Sequence, residues 1–198
     1  MAEQKEMRAV YAETLTTLAD QGLDIVVVEA DLMRANGTGA FAKKYPERTV
    51  NVGVAEANMV GIASGLSAAG KIPFAATFAC FASRRAYDQF FLSANYAGLN
   101  VKLVGSDPGI TAGFNGGTHM PFEDLALMRA VPKLTITEPS DPASLAAILK
   151  LAAKTYGCFY IRLQRKPAEI LYSAEEKFEI GKAKVLRKGK DITLIALG

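Results

Sequence analysis

The stretch TVNVGVAEANMVGIASGLSAA, residues 49–69, restricts the fold more than any other part of the chain. A β-branched run with Thr49, Val50 and Val52 stops at Gly53, and a long segment of small residues opens with Ala55 and Glu56. That order reads as strand, tight turn and helix, with Glu56 in the first helical turn at the C-terminal edge of a sheet. Gly61 and Gly65 stand four apart, with Ala57, Ala68 and Ala69 close by. One helix face therefore has almost no side-chain bulk and admits a second backbone. The pattern predicts a buried helix, with a subunit contact as one use of that face.

An acid in a first helical turn can be there for the macrodipole alone, which is worth about 0.3–1 kcal/mol. The setting of Glu56 says more. Its neighbours are Ala, Val and Gly, which offer a carboxyl group few visible partners, and burial opposes ionisation while the dipole favours it. A carboxyl balanced in that way can exchange a proton with a ligand nitrogen.

Composition narrows the class. The 198 residues suit one domain with a single substantial core. Alanine-rich stretches are broken by Gly, Ser, Lys and Pro before any reaches the length of a membrane span, so no membrane association is expected. The opening MAEQKEMRAVYAETL is charged and has no apolar signal core, and the expectation is a soluble, cytoplasmic protein. Cys80 and Cys158 are far apart and there is one histidine, which argues against a disulfide framework or a Cys/His metal site. Both cysteines are expected in the core. The 23 basic and 20 acidic residues are spread along the chain, too balanced for a nucleic-acid footprint.

In order, the chain predicts a helix over 7–18, a buried strand over 25–28, a short helix over 40–45, the central strand and helix, a strand over 73–77 and a helix over 81–96. A strand over 101–104 leads to a glycine-rich segment, 106–124, of a length that in a compact domain is functional or disordered. A helix over 122–130, a strand over 134–137, a helix over 141–156 with Asp141-Pro142 as N-cap and first position, and a strand over 159–163 follow. Strands alternate with helices throughout. The fold class predicted is α/β, a parallel sheet in three layers with ligand-binding loops at the strand C-termini. Beyond Pro167 the chain turns mixed and charged, and DITLIAL at 191–197 reads as the first strand of a further domain. The domains expected are therefore 1–167, and 168–198 as connector and first strand.

Phe78 and Phe81 flank Cys80 where a strand should end, beside the edge that carries Glu56. Such aromatics serve as core residues, or as the apolar wall a planar heterocycle needs. Arg84 and Asp88 have the spacing of an i,i+4 pair on a solvated helix face. His119 has no evident metal partner, but a neutral imidazole in that loop can move protons or bond a hydroxyl. Asp31, just after the first strand, caps a turn or faces the same crevice. Gly116-Gly117-Thr118-His119 matches neither a Walker phosphate loop nor a dinucleotide fingerprint.

Five blocks together resemble the pyrimidine-binding domain of the thiamine-diphosphate enzymes, and transketolase most of all: EADL at 29–32, NVGVAEANMVGIASGLS at 51–67, FAATFACFASRRAYDQ at 74–89, GGTHMPFEDLALMRAVPKLTITEPSD at 116–141 and YIRLQRKP at 160–167. Any single block is weak, and the five in order with their spacing are strong. The resemblance implies that Glu56 bonds the ring nitrogen of the aminopyrimidine of thiamine diphosphate, favouring the imino tautomer that takes the thiazolium proton. It implies that Phe78 and Phe81 line the ring pocket, with Asp31 in the cofactor-binding set. His119 is then placed near the reacting carbon and bonds substrate oxygens. Arg165, with Arg162 as the alternative, meets a phosphorylated or otherwise anionic sugar, and Asn115 stands among the substrate-binding positions.

The family's diphosphate and Mg²⁺ site, a Gly-Asp-Gly with a later Asn, occurs nowhere in the chain. A diphosphate-binding partner subunit holding Mg²⁺ is therefore expected, with a homodimer through the pyrimidine domain, as in a split transketolase. Arg34-Ala35 replaces a phosphate-touching serine of common members, Ser106-Asp107-Pro108 replaces a histidine-bearing run, and Asn115 replaces an acid. An unusual ketose, sulfonated or branched, is compatible with those changes. Rival readings are a 2-oxoacid dehydrogenase β subunit, a deoxyxylulose-phosphate synthase, the group that RAYDQ at 85–89 also resembles, and a non-catalytic scaffold.

Overall fold

The computed structural model describes residues 4–198. Six parallel strands form the sheet: β2 (Ile25–Glu29), β3 (Thr49–Asn51), β4 (Ile72–Phe78), β5 (Lys102–Ser106), β6 (Thr135–Thr137) and β7 (Phe159–Leu163), in the spatial order β3-β2-β4-β5-β7-β6. A small antiparallel pair, β1 (Lys5–Glu6) with β8 (Pro167–Ala168), lies outside it. All five residues of β2, IVVVE, are buried, as expected of a parallel strand covered on both faces.

Successive strand residues go to opposite layers, because the side-chain period of a strand is two. Ile25, Val27, Phe74 and Phe159 pack on α1 (Met7–Asp20) and α7 (Pro142–Lys154) through Tyr11, Leu15, Leu18, Leu145 and Leu149. Val26, Val28, Ala75, Leu103 and Tyr160 face α4 (Glu56–Ala68) and the helical segment 81–96 through Met59, Val60, Ala63 and Phe90. Burying each large side chain contributes about 1.5–3 kcal/mol. Asp141 caps α7 as the sequence predicts: its side chain accepts from the Ser144 amide while the Ser144 hydroxyl accepts from the Asp141 amide. Among the described residues, no helix is long and apolar enough to cross a membrane. Cys80 and Cys158 are both free and buried.

Four elements differ from expectation. Two short helices, α2 (Met33–Asn36) and α3 (Gly39–Lys44), follow β2, where one was predicted. The segment 81–96 is helical but π-wound over Phe81–Arg85 and Phe90–Tyr96, with one α-turn, α5 (Tyr87–Gln89), between them. Residues 191–197 form no strand and pair with none of the described strands, and Ile192, Leu194, Ile195 and Leu197 are exposed. Gly61 and Gly65 are exposed on α4, and a Cβ at either would meet nothing within 4 Å. The small-residue face is thus open in the single chain rather than buried in its core.

Candidate active site

Glu56 is the first residue of α4 and is 1% exposed. Strand β3 ends at Asn51, and Gly53, at φ +74°, turns the chain into the helix. Asn51 Oδ1 steadies the turn by accepting from the amides of Asp31 and Gly53, at 3.0 and 3.1 Å. The sheet order reverses between β2 and β4, and a crevice opens at the C-terminal ends of such strands.

Glu56 has a partner that its apolar neighbours in the sequence do not reveal. Arg85 Nη1 donates to both carboxyl oxygens, each at 2.9 Å. The guanidinium also lies over the Phe81 ring, 4.2 Å from the centroid. Phe78 and Phe81 are 6.0 Å apart by centroids, and the His119 imidazole stands edge-on to both, at 5.8 and 5.3 Å. His119 Nδ1 pairs with the Thr118 hydroxyl at 2.9 Å. Two phenylalanines, one imidazole and a buried carboxyl thus gather at one place, although His119 is 63 residues from Glu56 in the chain.

The loop that carries His119 is held by Arg84. Its Nη2 donates to the Thr118 carbonyl at 2.8 Å, its Nε donates to the Cys80 carbonyl at 3.2 Å, and Nε also lies 3.2 Å from Glu123. The predicted Arg84/Asp88 pair does not form, because the π-turn changes the spacing on which that pair depends.

Arg165 crosses the Phe78 ring at 5.6 Å, and its Nε is 3.0 Å from Asp107 Oδ2. Asp107 is fully buried at φ +55°, and neither carboxyl oxygen makes an aligned hydrogen bond. Burial pushes its pKa up, and Arg165, Lys166 and Arg8 only partly offset that. The β1–β8 pair fixes the backbone here, with Arg8 N donating to Arg165 O at 3.4 Å. Arg162, the alternative, is buried elsewhere: Nε donates to Asp124 at 2.9 Å and Nη1 pairs with Glu138. Asp31 is exposed at φ +62°, and Asn115 is exposed on a 3₁₀ turn; neither side chain makes a hydrogen bond or ion pair with Glu56. Among the described residues, two of the three non-glycine residues with positive φ, Asp31 and Asp107, follow strands that end at the crevice; such backbone strain concentrates at functional sites.

Behind the rim, Glu29 is fully buried at the end of β2. It accepts from Asn36 Nδ2 at 2.8 Å and Thr38 Oγ1 at 2.6 Å, and Asn36 Oδ1 accepts from Ser106 Oγ at 2.8 Å. Burial raises its pKa from 4.5 to about 7 despite those hydrogen bonds. In the sequence, Arg84 reads as part of a solvated helix face and Asp107 only as part of a departure from the family, while Arg85 and Glu29 carry no role of their own. The one available signal was the repeat of arginine next to an aromatic pair.

The sequence matches the family described as transketolase, pyrimidine binding domain, over residues 3–169. The chain belongs to that family. It is 50% identical to the 6-deoxy-6-sulfo-D-fructose transketolase subunit SqwH of Clostridium sp. (strain MSTE9), over 99% of this chain and 61% of that protein. It is 44% identical to the putative transketolase C-terminal section of Methanocaldococcus jannaschii, over 98% of this chain and 62% of that one. A solved structure described as a split gene transketolase, inactive beta4 tetramer, superposes with a TM-score of 0.85 at 42% identity, covering 96% of this chain and 61% of that chain. The chain therefore spans about three fifths of the length of these relatives. The α/β fold read from the sequence is the one these comparisons share.

Proposed function

We propose that the chain is the ring-binding half of a thiamine-diphosphate-dependent transketolase, which moves a two-carbon ketol unit from a ketose to an aldose once a second subunit completes the site. The observation that carries this is Glu56: a buried carboxyl at a helix N-terminus, beside the ring face of Phe81, already bonded to a planar nitrogen group. The seat thus offers acceptors to a flat nitrogen group beside an aromatic face, the two contacts an aminopyrimidine would use. When bound, the cofactor supplies the carbon nucleophile that takes up and releases the ketol unit.

The chain's own residues do the rest. Glu56 holds a proton at its carboxyl oxygen against the ring nitrogen, and Phe78 and Phe81 cover the ring and keep water from it. His119, edge-on to both rings, bonds substrate oxygens. Arg165, held by Asp107, meets the anionic end of the sugar. Asp31 and Asn115 line the rim. Diphosphate and Mg²⁺ fall to the partner subunit, in keeping with the lack of a Gly-Asp-Gly pattern in this sequence. Residues 168–198 serve as a connector, and the open small-residue face of α4 serves homodimerisation. A cytoplasmic setting suits the two free cysteines.

The substrate class proposed is an anionic ketose, with a sulfonated one first to be tried. Arg165 supports the charge, and the relative named for 6-deoxy-6-sulfo-D-fructose supports the sulfonate. In the enzyme reconstituted with its partner, Glu56→Gln and Glu56→Ala are expected to abolish turnover while assembly, followed by gel filtration, is unchanged. Near-wild-type turnover in either variant overturns the mechanism. Turnover of pyruvate instead of a ketose would move the chain to the deoxyxylulose-phosphate synthase or oxoacid dehydrogenase reading.

A further inference from the structure

Arg85 makes the two contacts that the cofactor ring needs. Its Nη1 lies 2.9 Å from each oxygen of Glu56, and its guanidinium carbon lies 4.2 Å from the Phe81 centroid. A guanidinium is a flat N–C–N group that donates hydrogen bonds in its plane and stacks on aromatic faces. An aminopyrimidine is likewise a flat ring with nitrogens in its plane. Both need the same carboxyl oxygens and the same ring face, so the two cannot be seated together.

The local backbone is what brings Arg85 there. The amide of Ala86 donates to the Phe81 carbonyl at 3.1 Å, an i→i+5 bond that closes the π-turn Phe81–Arg85. The turn starts at the aromatic and ends at the arginine, which folds back over the ring it follows by four residues. The Arg85 side chain is 50% exposed, whereas its partner Glu56 is 1% exposed. It can therefore swing into solvent by side-chain rotation, without opening the core.

We propose that Arg85 is a removable occupant of the cofactor-ring seat: in the chain by itself it neutralises Glu56 and covers Phe81, and the aminopyrimidine binds by displacing it. The proposal rests on the reading of Glu56 and Phe81 as that seat. Displacement lowers the apparent affinity of the lone chain by the fraction of time that the seat is free. One half-exposed ion pair and one cation–π contact together amount to about a tenfold effect.

The test is calorimetric titration of thiamine, which carries the aminopyrimidine but no diphosphate, into the full-length chain without partner or Mg²⁺. Arg85→Ala empties the seat, and Arg85→Gln, shorter and uncharged, removes both the ion pair with Glu56 and the stacking on Phe81 in case the alanine variant does not fold, with circular dichroism checking each. Both are expected to bind thiamine about tenfold more tightly than wild type, and adding Glu56→Ala is expected to abolish that gain. Affinity unchanged or weaker in both arginine variants overturns the proposal, and so does binding too weak to detect in every protein. If those variants gain nothing while Glu56→Ala alone abolishes thiamine binding, the seat stands and only the role of Arg85 falls. A gain that survives the added Glu56→Ala refutes the seat itself, and the proposal with it.

Discussion

Replacing Glu29 with Gln should remove the loss of stability that its buried carboxyl causes between mildly acid and neutral pH. The carboxyl releases its proton near pH 4.5 when unfolded but near pH 7 in the folded chain, because burial disfavours the charge. Between those values the folded state holds more protons than the unfolded state, so stability falls as pH rises. The contribution is fully present below pH 4.5 and is lost once pH passes about 7. At about 1.4 kcal/mol per pH unit, that displacement amounts to about 3 kcal/mol. Glutamine stays neutral, keeps an acceptor for Asn36 and offers a donor to the Thr38 hydroxyl. Urea denaturation followed by far-ultraviolet circular dichroism suits a chain without tryptophan. The difference in unfolding free energy between variant and wild type should grow by about 3 kcal/mol from pH 4.5 to 8. The raised pKa of Asp107 acts in the same direction but is common to both proteins, so it cancels. Parallel pH curves would refute the assignment of the buried charge to Glu29. Because Glu29, Asn36 and Ser106 join the ends of β2 and β5, the same ionisation should loosen the rim of the crevice.

Two further substitutions probe the site and the fold. Arg165→Met in the reconstituted enzyme should raise KM for an anionic ketose by about 10- to 100-fold, the worth of one charge-assisted hydrogen bond, and leave KM for a neutral ketose unchanged; equal effects on both sugars would remove Arg165 from anion recognition. Asp141→Ala should lower unfolding free energy by about 2 kcal/mol, since its carboxylate caps α7 through Ser144 and also accepts from the amides of Leu171 and Tyr172. A loss below about 0.5 kcal/mol in urea denaturation would show that the cap is replaceable.

Much of the framework is legible in the sequence because it rests on short-range rules. IVVVE is apolar and β-branched over a strand's length, Asp141-Pro142-Ala143-Ser144 carries a capping pattern, and Gly53 marks the turn before Glu56. The blocks around Glu56, Phe78 and His119 are likewise legible, since each motif is local and their order is kept, and the fold brings Phe78 and His119 together. Other features follow from no local rule. The two-residue strands β1 and β8 are too short for any periodicity, yet they hold the backbone at Arg165. The stretch predicted as a strand over 191–197 has strand-like residues but pairs with none of the described strands. The π-turn at Phe81–Arg85 looks like an ordinary helix in its composition, and the extra residue per turn redirects both arginines.

The sequence by itself determined the alternation of strand and helix, the buried faces of the sheet and the residue types available for chemistry, because side-chain period and turn residues act within a few positions. Only the tertiary structure decided which of those residues meet. It brought His119 to Phe78 and Phe81, sent Arg162 into a buried ion pair and Arg165 to the crevice, and put Arg85 on Glu56. Those choices depend on strand order and on the geometry of one π-turn, and both are settled by packing between segments far apart in the chain.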